Sequence, residues 1–171
     1  MKKYFLFIYF IFLAALIYSD NNYIIERFSF VLRLSVSEDN YWEYTVTQTP
    51  YIFNENYVQF YPGETLFIEA EVLDNKIIRL AVVKEITDAN KTIIVKFRQV
   101  TKEENERIHN LMMLEIKNPF NRDMEYKADI YLIQYDRWIN TSVIPIRAGL
   151  LSFESWPDII GTIVLHDFIL K

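Results

Sequence analysis

Downstream of residue 27 apolar and polar positions alternate along most of the chain. Phe28, Phe30, Leu32, Leu34 and Val36 fall on one side and Ser29, Arg33 and Ser35 on the other, the period-two pattern of a half-buried strand. Tyr41 to Gln48 repeats it, with Trp42, Tyr44 and Val46 set against Glu43, Thr45 and Thr47. Leu66, Ile68, Ala70 and Val72 alternate with Glu69 and Glu71. After Asp74-Asn75, Ile78, Leu80 and Val82 share a face, which predicts a hairpin. Further strands are predicted around Ile93, Val95 and Phe97, around Met112, Leu114 and Ile116, and around Tyr126, Ala128, Ile130 and Leu132. A last one runs from Gly161 to Leu170. Thr101 with Glu104 three residues on has the spacing of a capping box and predicts two helical turns over 102–110, on a stretch with almost no apolar face. Asp136 to Trp156, broken by Pro145 and Gly149, reads as irregular.

Short strands separated by turns, with no helices alternating between them, predict an all-β fold. The expected architecture is an antiparallel β-sandwich, immunoglobulin-like or jelly-roll, with a closed barrel as the alternative. There is no internal repeat and no linker, so residues 20–171 are expected to form a single domain.

The N-terminus breaks the alternation. Lys2 and Lys3 precede an unbroken apolar run from Tyr4 to Tyr18, and Ser19 leads into Asp20-Asn21-Asn22. A positive start, an apolar stretch too short for an ordinary spanning helix and a small residue at its exit predict a signal peptide over 1–19 that forms a signal helix. Ile17 is branched where an A-x-A-like site has a small residue, so retention as an anchor over residues 4–18 is the alternative. Either way the domain is expected to be exported, to the periplasm or the cell exterior.

Composition narrows the chemistry. The chain has no cysteine, which excludes a disulfide framework, a thiol nucleophile and thiolate metal sites. Its net charge is −5, with no basic run to follow a phosphate backbone, so nucleic acid is not an expected partner. Three glycines leave no phosphate-binding loop, and no G-x-S-x-G elbow is present, so no cofactor is expected. With only His109 and His166 to supply imidazole, no metal site is expected. His166 and Asp167, as neighbours in a strand, should point to opposite faces. Glu69 and Glu71 share a strand face and are the carboxylate pair that a small hydrolase could use. A solvated strand face has the same pattern.

Aromatic residues carry the functional expectation. The segment from Tyr51 to Tyr61 contains Tyr51, Phe53, Tyr57, Phe60 and Tyr61, and a second group holds Trp138 and Trp156. Rings on loops can stack on sugars or anchor a protein, or they can cap the core. Tyr51, Phe53, Tyr57, Tyr61, Trp138 and Trp156 are the candidate contact residues of a non-catalytic binding module. Its expected partner is a protein or glycan of the bacterial envelope. The alternatives are a carboxylate-dependent envelope hydrolase and an anchored structural component.

The segments Leu114-Glu115-Ile116-Lys117-Asn118-Pro119-Phe120, Met124-Glu125-Tyr126-Lys127-Ala128, Leu151-Ser152-Phe153-Glu154-Ser155-Trp156-Pro157 and Leu165-His166-Asp167-Phe168 resemble small exported bacterial β-rich proteins of uncharacterised function. The resemblance covers roughly the last third of the chain. It implies an envelope or periplasmic β-rich domain and carries over no catalytic residue.

Overall fold

A computed structural model of the chain describes residues 25–102 and 105–171. The expected signal segment lies outside the described residues, and among these no helix is long and apolar enough to cross a membrane. The fold is an all-β antiparallel sandwich. Its strands are β1 (Glu26–Arg27), β2 (Phe30–Ser37), β3 (Asn40–Val46), β4 (Thr49–Pro50), β5 (Ile52–Phe53), β6 (Tyr57–Phe60), β7 (Thr65–Leu73), β8 (Lys76–Val83), β9 (Thr92–Lys102), β10 (Asn105–Lys117), β11 (Met124–Leu132), β12 (Arg137–Thr141), β13 (Leu151–Trp156) and β14 (Ile160–Leu170).

The hydrogen-bonded path runs β12-β11-β14-β8-β7-β9-β10-β13, with β6 also on β14 and β5 on β6. β14 is the corner of the sandwich. Its first half pairs with β6 through Ile163, Val164 and Leu165, while its end meets β8 in the single register pair Ile169↔Lys76. One core fills the space between, from Ile68, Ile93, Val95, Phe97, Met112, Leu114 and Ile116 to Met124, Ala128, Ile130, Ile163 and Leu165. The other rim is drawn together by the Met124↔Ile146 bridge and by buried Asn118, whose Nδ2 donates to the carbonyls of Arg122, Ile146 and Arg147 at 2.8, 3.0 and 3.2 Å. The Ile146 and Arg147 carbonyls also accept from the Met124 and Leu150 N–H groups, so the buried amide ties three chain segments together at one point.

In the strands around Ile93, Met112 and Tyr126 the predicted inward faces are the buried ones, whereas Val36, Tyr44 and Val72, also predicted inward, are exposed towards the ends of their strands and on the outlying hairpin. Elsewhere the differences have local causes. The predicted helix over 102–110 is absent from the described residues there, because β9 runs on to Lys102 and β10 returns from Asn105, with Thr101 opposite His109. A segment without an apolar face gains nothing as a helix, whereas continuing a ladder satisfies its backbone. β12 and β13 occupy the stretch expected to be irregular. Both are short edge strands, and β13 turns Leu151 and Phe153 to solvent, which inverts the usual pattern. The register between β7 and β8 slips after Glu71, so Ile77 is buried and Ile78 exposed instead of sharing the side of Leu80. β2 begins at Phe30, which leaves Phe28 exposed, and Trp42 is half-buried.

Candidate functional site

The register sets out one sheet face residue by residue. Across β11 and β12, Asp129 opposes Asn140 and Tyr131 opposes Trp138. Across β11 and β14, Lys127 opposes His166, Asp129 opposes Val164 and Tyr131 opposes Thr162. Val164 then opposes Gln59 on β6, and Phe53 opposes Tyr57 across β5 and β6. Cross-strand partners project to the same side. Phe53, Tyr57, His166, Lys127, Asp129, Asn140, Tyr131 and Trp138 therefore share the outer face, with Ala128, Ile130, Ile163 and Leu165 beneath them in the core.

One end of this face is closed. Arg27, only 2% exposed, lies with its guanidinium 4.3 Å from the Tyr51 ring centre and 4.9 Å from that of Tyr61. Its Nε donates to Glu64 Oε1 at 2.9 Å, Nη1 to Thr49 Oγ1 at 3.0 Å and the Pro50 carbonyl at 3.3 Å, and Nη2 to the Gln59 carbonyl at 2.7 Å and Glu64 Oε2 at 3.3 Å. A buried cation survives when it is paired and its donors are satisfied, and stacking on two rings adds to this. Burial pushes both tyrosine hydroxyls above their ordinary range, while the Arg27 charge pulls them back. The β2–β3 hairpin covers the same end. Its Leu32, Leu34 and Val46 pack on Ile159 with Tyr61 and Ile133, and Phe30 meets Tyr61 edge-on at 6.0 Å.

The other end is open. His166 lies flat against Tyr57, ring centres 4.8 Å apart and planes 1° from parallel, and Phe53 leans on Tyr57 at 6.0 Å. His166 Nε2 is 3.2 Å from Asp129 Oδ2, and Nδ1 is 3.4 Å from Asp167 Oδ2. These are ion-pair distances without hydrogen-bond geometry, so neither buried ring nitrogen is hydrogen-bonded. The expectation that His166 and Asp167 point apart is overturned by the backbone. Asp167 is left-handed at φ 53°, which breaks the alternation and lets its carboxylate fold back towards the ring. Asp167 also accepts from Lys127 Nζ at 2.8 Å, the main reason its carboxyl is held below the usual range. Asn140 Nδ2 donates to Asp129 Oδ1 at 3.0 Å. At the far edge Trp138 is 48% exposed and rests on Tyr131 at 5.6 Å.

Of the six predicted contact residues, Phe53, Tyr57 and Trp138 come together on this face. Tyr51 and Tyr61 serve as walls for Arg27. Trp156 packs against the core and donates Nε1 to Thr141 Oγ1 at 3.0 Å. Glu69 is engaged by Lys91 at 3.4 Å and by Thr87, and Glu71 opposes Arg79, so the pair forms a charge-balanced strand surface. Among the described residues no group of three or more His, Asp or Glu could hold a metal ion. Sequence reasoning passed over Arg27, Lys127, Asp129 and Asn140, because their partners are remote in the chain or lie across the ladder. Comparison with protein-family models, curated proteins and solved structures finds no match.

Proposed function

We propose that the chain is an exported, non-catalytic binding module whose ligand is a glycan of the bacterial envelope, bound across the outer face of β12, β11, β14, β6 and β5. The observation that carries this reading is the composition of that face. Rings stand at two corners, Phe53–Tyr57–His166 and Tyr131–Trp138, with the carboxylate of Asp129 and the amide of Asn140 between them. Sugar rings offer an apolar face that stacks on aromatics and hydroxyls that bond to carboxylates and amides. Trp138 stands three strands from Tyr57, each spaced about 4.8 Å from the next, so a ligand touching both must be extended. The net charge of −5 favours a neutral ligand over an anionic one.

The test is tryptophan emission of the purified protein with soluble cell-wall glycans. Binding should protect Trp138 from iodide quenching, and Trp138→Ala should weaken affinity about tenfold, the scale of one lost aromatic contact. Protection by envelope protein extract with indifference to every glycan would replace the glycan by a protein partner.

A second reading, a small envelope hydrolase, has one observation in its favour: His166 sits between Asp129 and Asp167, a pairing that strand alternation had argued against in favour of Glu69 and Glu71. The His166 side chain is 10% exposed and lies against Tyr57, so a substrate would have to displace the stack to reach it. Release of reducing ends from those glycans, abolished in Asp129→Asn, would favour the hydrolase.

A further inference from the structure

The β2–β3 hairpin forms a two-stranded sheet of its own beside the ten-stranded one, and Gln99 bonds the edge of β2 to the body. Gln99, on β9, addresses Ser35 as a neighbouring strand would. The Ser35 N–H donates to Gln99 Oε1 at 2.9 Å, and Gln99 Nε2 donates to the Ser35 carbonyl at 2.8 Å. These two backbone groups decide which end of the amide is oxygen, since a reversed amide would set donor against donor and acceptor against acceptor. Nε2 also lies 2.9 Å from His109 Nδ1, so that ring nitrogen must accept. His109 Nε2 is 2.9 Å from the Pro157 carbonyl, which can only accept, so the ring proton must sit there. The neutral imidazole protonated on Nε2 is the one form that satisfies the whole chain from Ser35 to Pro157.

We infer that Gln99 and His109 form an acid-released latch on the β2–β3 hairpin, in which protonation of His109 at Nδ1 faces the Gln99 amide with a second donor and breaks the tie at Ser35. Turning the amide to greet the new proton does not rescue the tie, because both Ser35 bonds are then lost. The elements around the ring carry Arg33, Glu38, Asp39 and Glu43 on the hairpin, Lys96, Arg98 and Lys102 on β9, Glu106, Arg107, Glu115 and Lys117 on β10, and Asp158 beside Pro157. Arg33 is paired with Glu43 and Arg98 with Glu115. The latch holds while the His109 ring is neutral and is lost once Nδ1 carries a proton. The hairpin covers Ile159, Ile133 and Tyr61, so its release uncovers the closed end of the sheet face. The latch stands on its own geometry, and only its bearing on ligand access rests on the proposed function.

Nitrogen-15 NMR of the two histidines in the full-length protein tests the tautomer, with His109→Asn used for assignment. At neutral pH His109 should carry its proton on Nε2, and a proton on Nδ1 would overturn the inference. Hydrogen exchange then tests the release. Corrected for intrinsic rate, protection of the Ser35 amide should fall about tenfold between pH 7.5 and 5, the loss of one or two net hydrogen bonds, while Ile68 in β7 is unchanged. In His109→Asn, whose Oδ1 can still accept from Gln99 but does not titrate, the fall should vanish. A flat wild-type profile at Ser35, or an equal fall in the variant, would sink the latch. Should the variant not fold, the wild-type tautomer and profile decide the matter without it. Loss of glycan binding with the latch intact would count against the proposed function alone.

Discussion

Tyr51 and Tyr61 sit in the same aromatic-rich segment as Phe53 and Tyr57, yet the two pairs have opposite fates. The first pair encloses a buried guanidinium whose donors are satisfied by Thr49, Pro50, Gln59 and Glu64. The second pair supports a histidine with two unbonded nitrogens beside an open sheet face. What separates them is the cover. β1 and the β2–β3 hairpin descend on one end of the face and bring Arg27 with them, and nothing among the described residues does so at the Trp138 edge. Aromatic density in a sequence therefore says that a surface is adhesive. Whether it adheres to its own chain or to something else depends on which remote segment reaches it.

Removing the cation should break the closed end. Arg27→Ala would leave Glu64 partly buried without its partner and the Pro50 and Gln59 carbonyls without a donor, and should cost about 3–5 kcal/mol. Urea denaturation followed by circular dichroism measures it. A loss under about 1 kcal/mol would mean the two ends are not as different as their burial implies.

The aromatic residues themselves should divide in the same way. Tyr61→Ala removes a half-buried ring packed on Arg27, Phe30 and the hairpin cluster, and should cost about 2 kcal/mol or more. Trp138→Ala, on an edge strand and half exposed, should stay under about 1 kcal/mol while weakening ligand binding about tenfold. Equal losses for the two in thermal denaturation would erase the distinction.

Gly161 sharpens the comparison at the open edge. A β-carbon there would lie 3.2 Å from Ile133 Cγ1 and 3.3 Å from Tyr131 Cδ1, so Gly161→Ala must push the ring on which Trp138 rests. The expected cost is about 1 kcal/mol. The diagnostic reading is altered Trp138 emission, and an unchanged spectrum would mean that Tyr131 does not set the position of the indole.

How far the sequence reached follows the same division. Faces set by alternation within one strand were legible: Ile93, Val95 and Phe97, like Met112, Leu114 and Ile116, are buried as a group. Strand β13 was not, because its solvent side holds Leu151 and Phe153 while Glu154 lies on the inner side. The Arg27 clamp was invisible for a different reason. Glu64 is 37 residues away, and no local period connects a lone arginine to the two rings that enclose it. The His166 cluster was misread because a single left-handed residue, Asp167, cancels the alternation rule from which the reading was made. Three of six contact residues were placed on the open face, since ring identity is local information, whereas what covers a ring is not.

The smallest effect expected is at Asp167, and its direction can be worked out. Its carboxyl is held below the ordinary range chiefly by the hydrogen bond from Lys127, with the charge on His166 adding to it, against desolvation. A folded value below the unfolded one, about 3.9, means that the carboxylate contributes stability in full above that pH. The contribution fades as pH falls through the depressed folded value. Asp167→Asn should therefore differ from the wild type at neutral pH and converge with it in acid, and because the side chain is 40% exposed and screened by water the difference at neutral pH should be small. Melting temperatures from pH 7 to pH 2 give the comparison. Curves that converge on acidification make the Lys127–Asp167 pair an ionic contact on the open face. Curves that coincide at every pH would instead assign the residue's role to its left-handed backbone, which asparagine also tolerates.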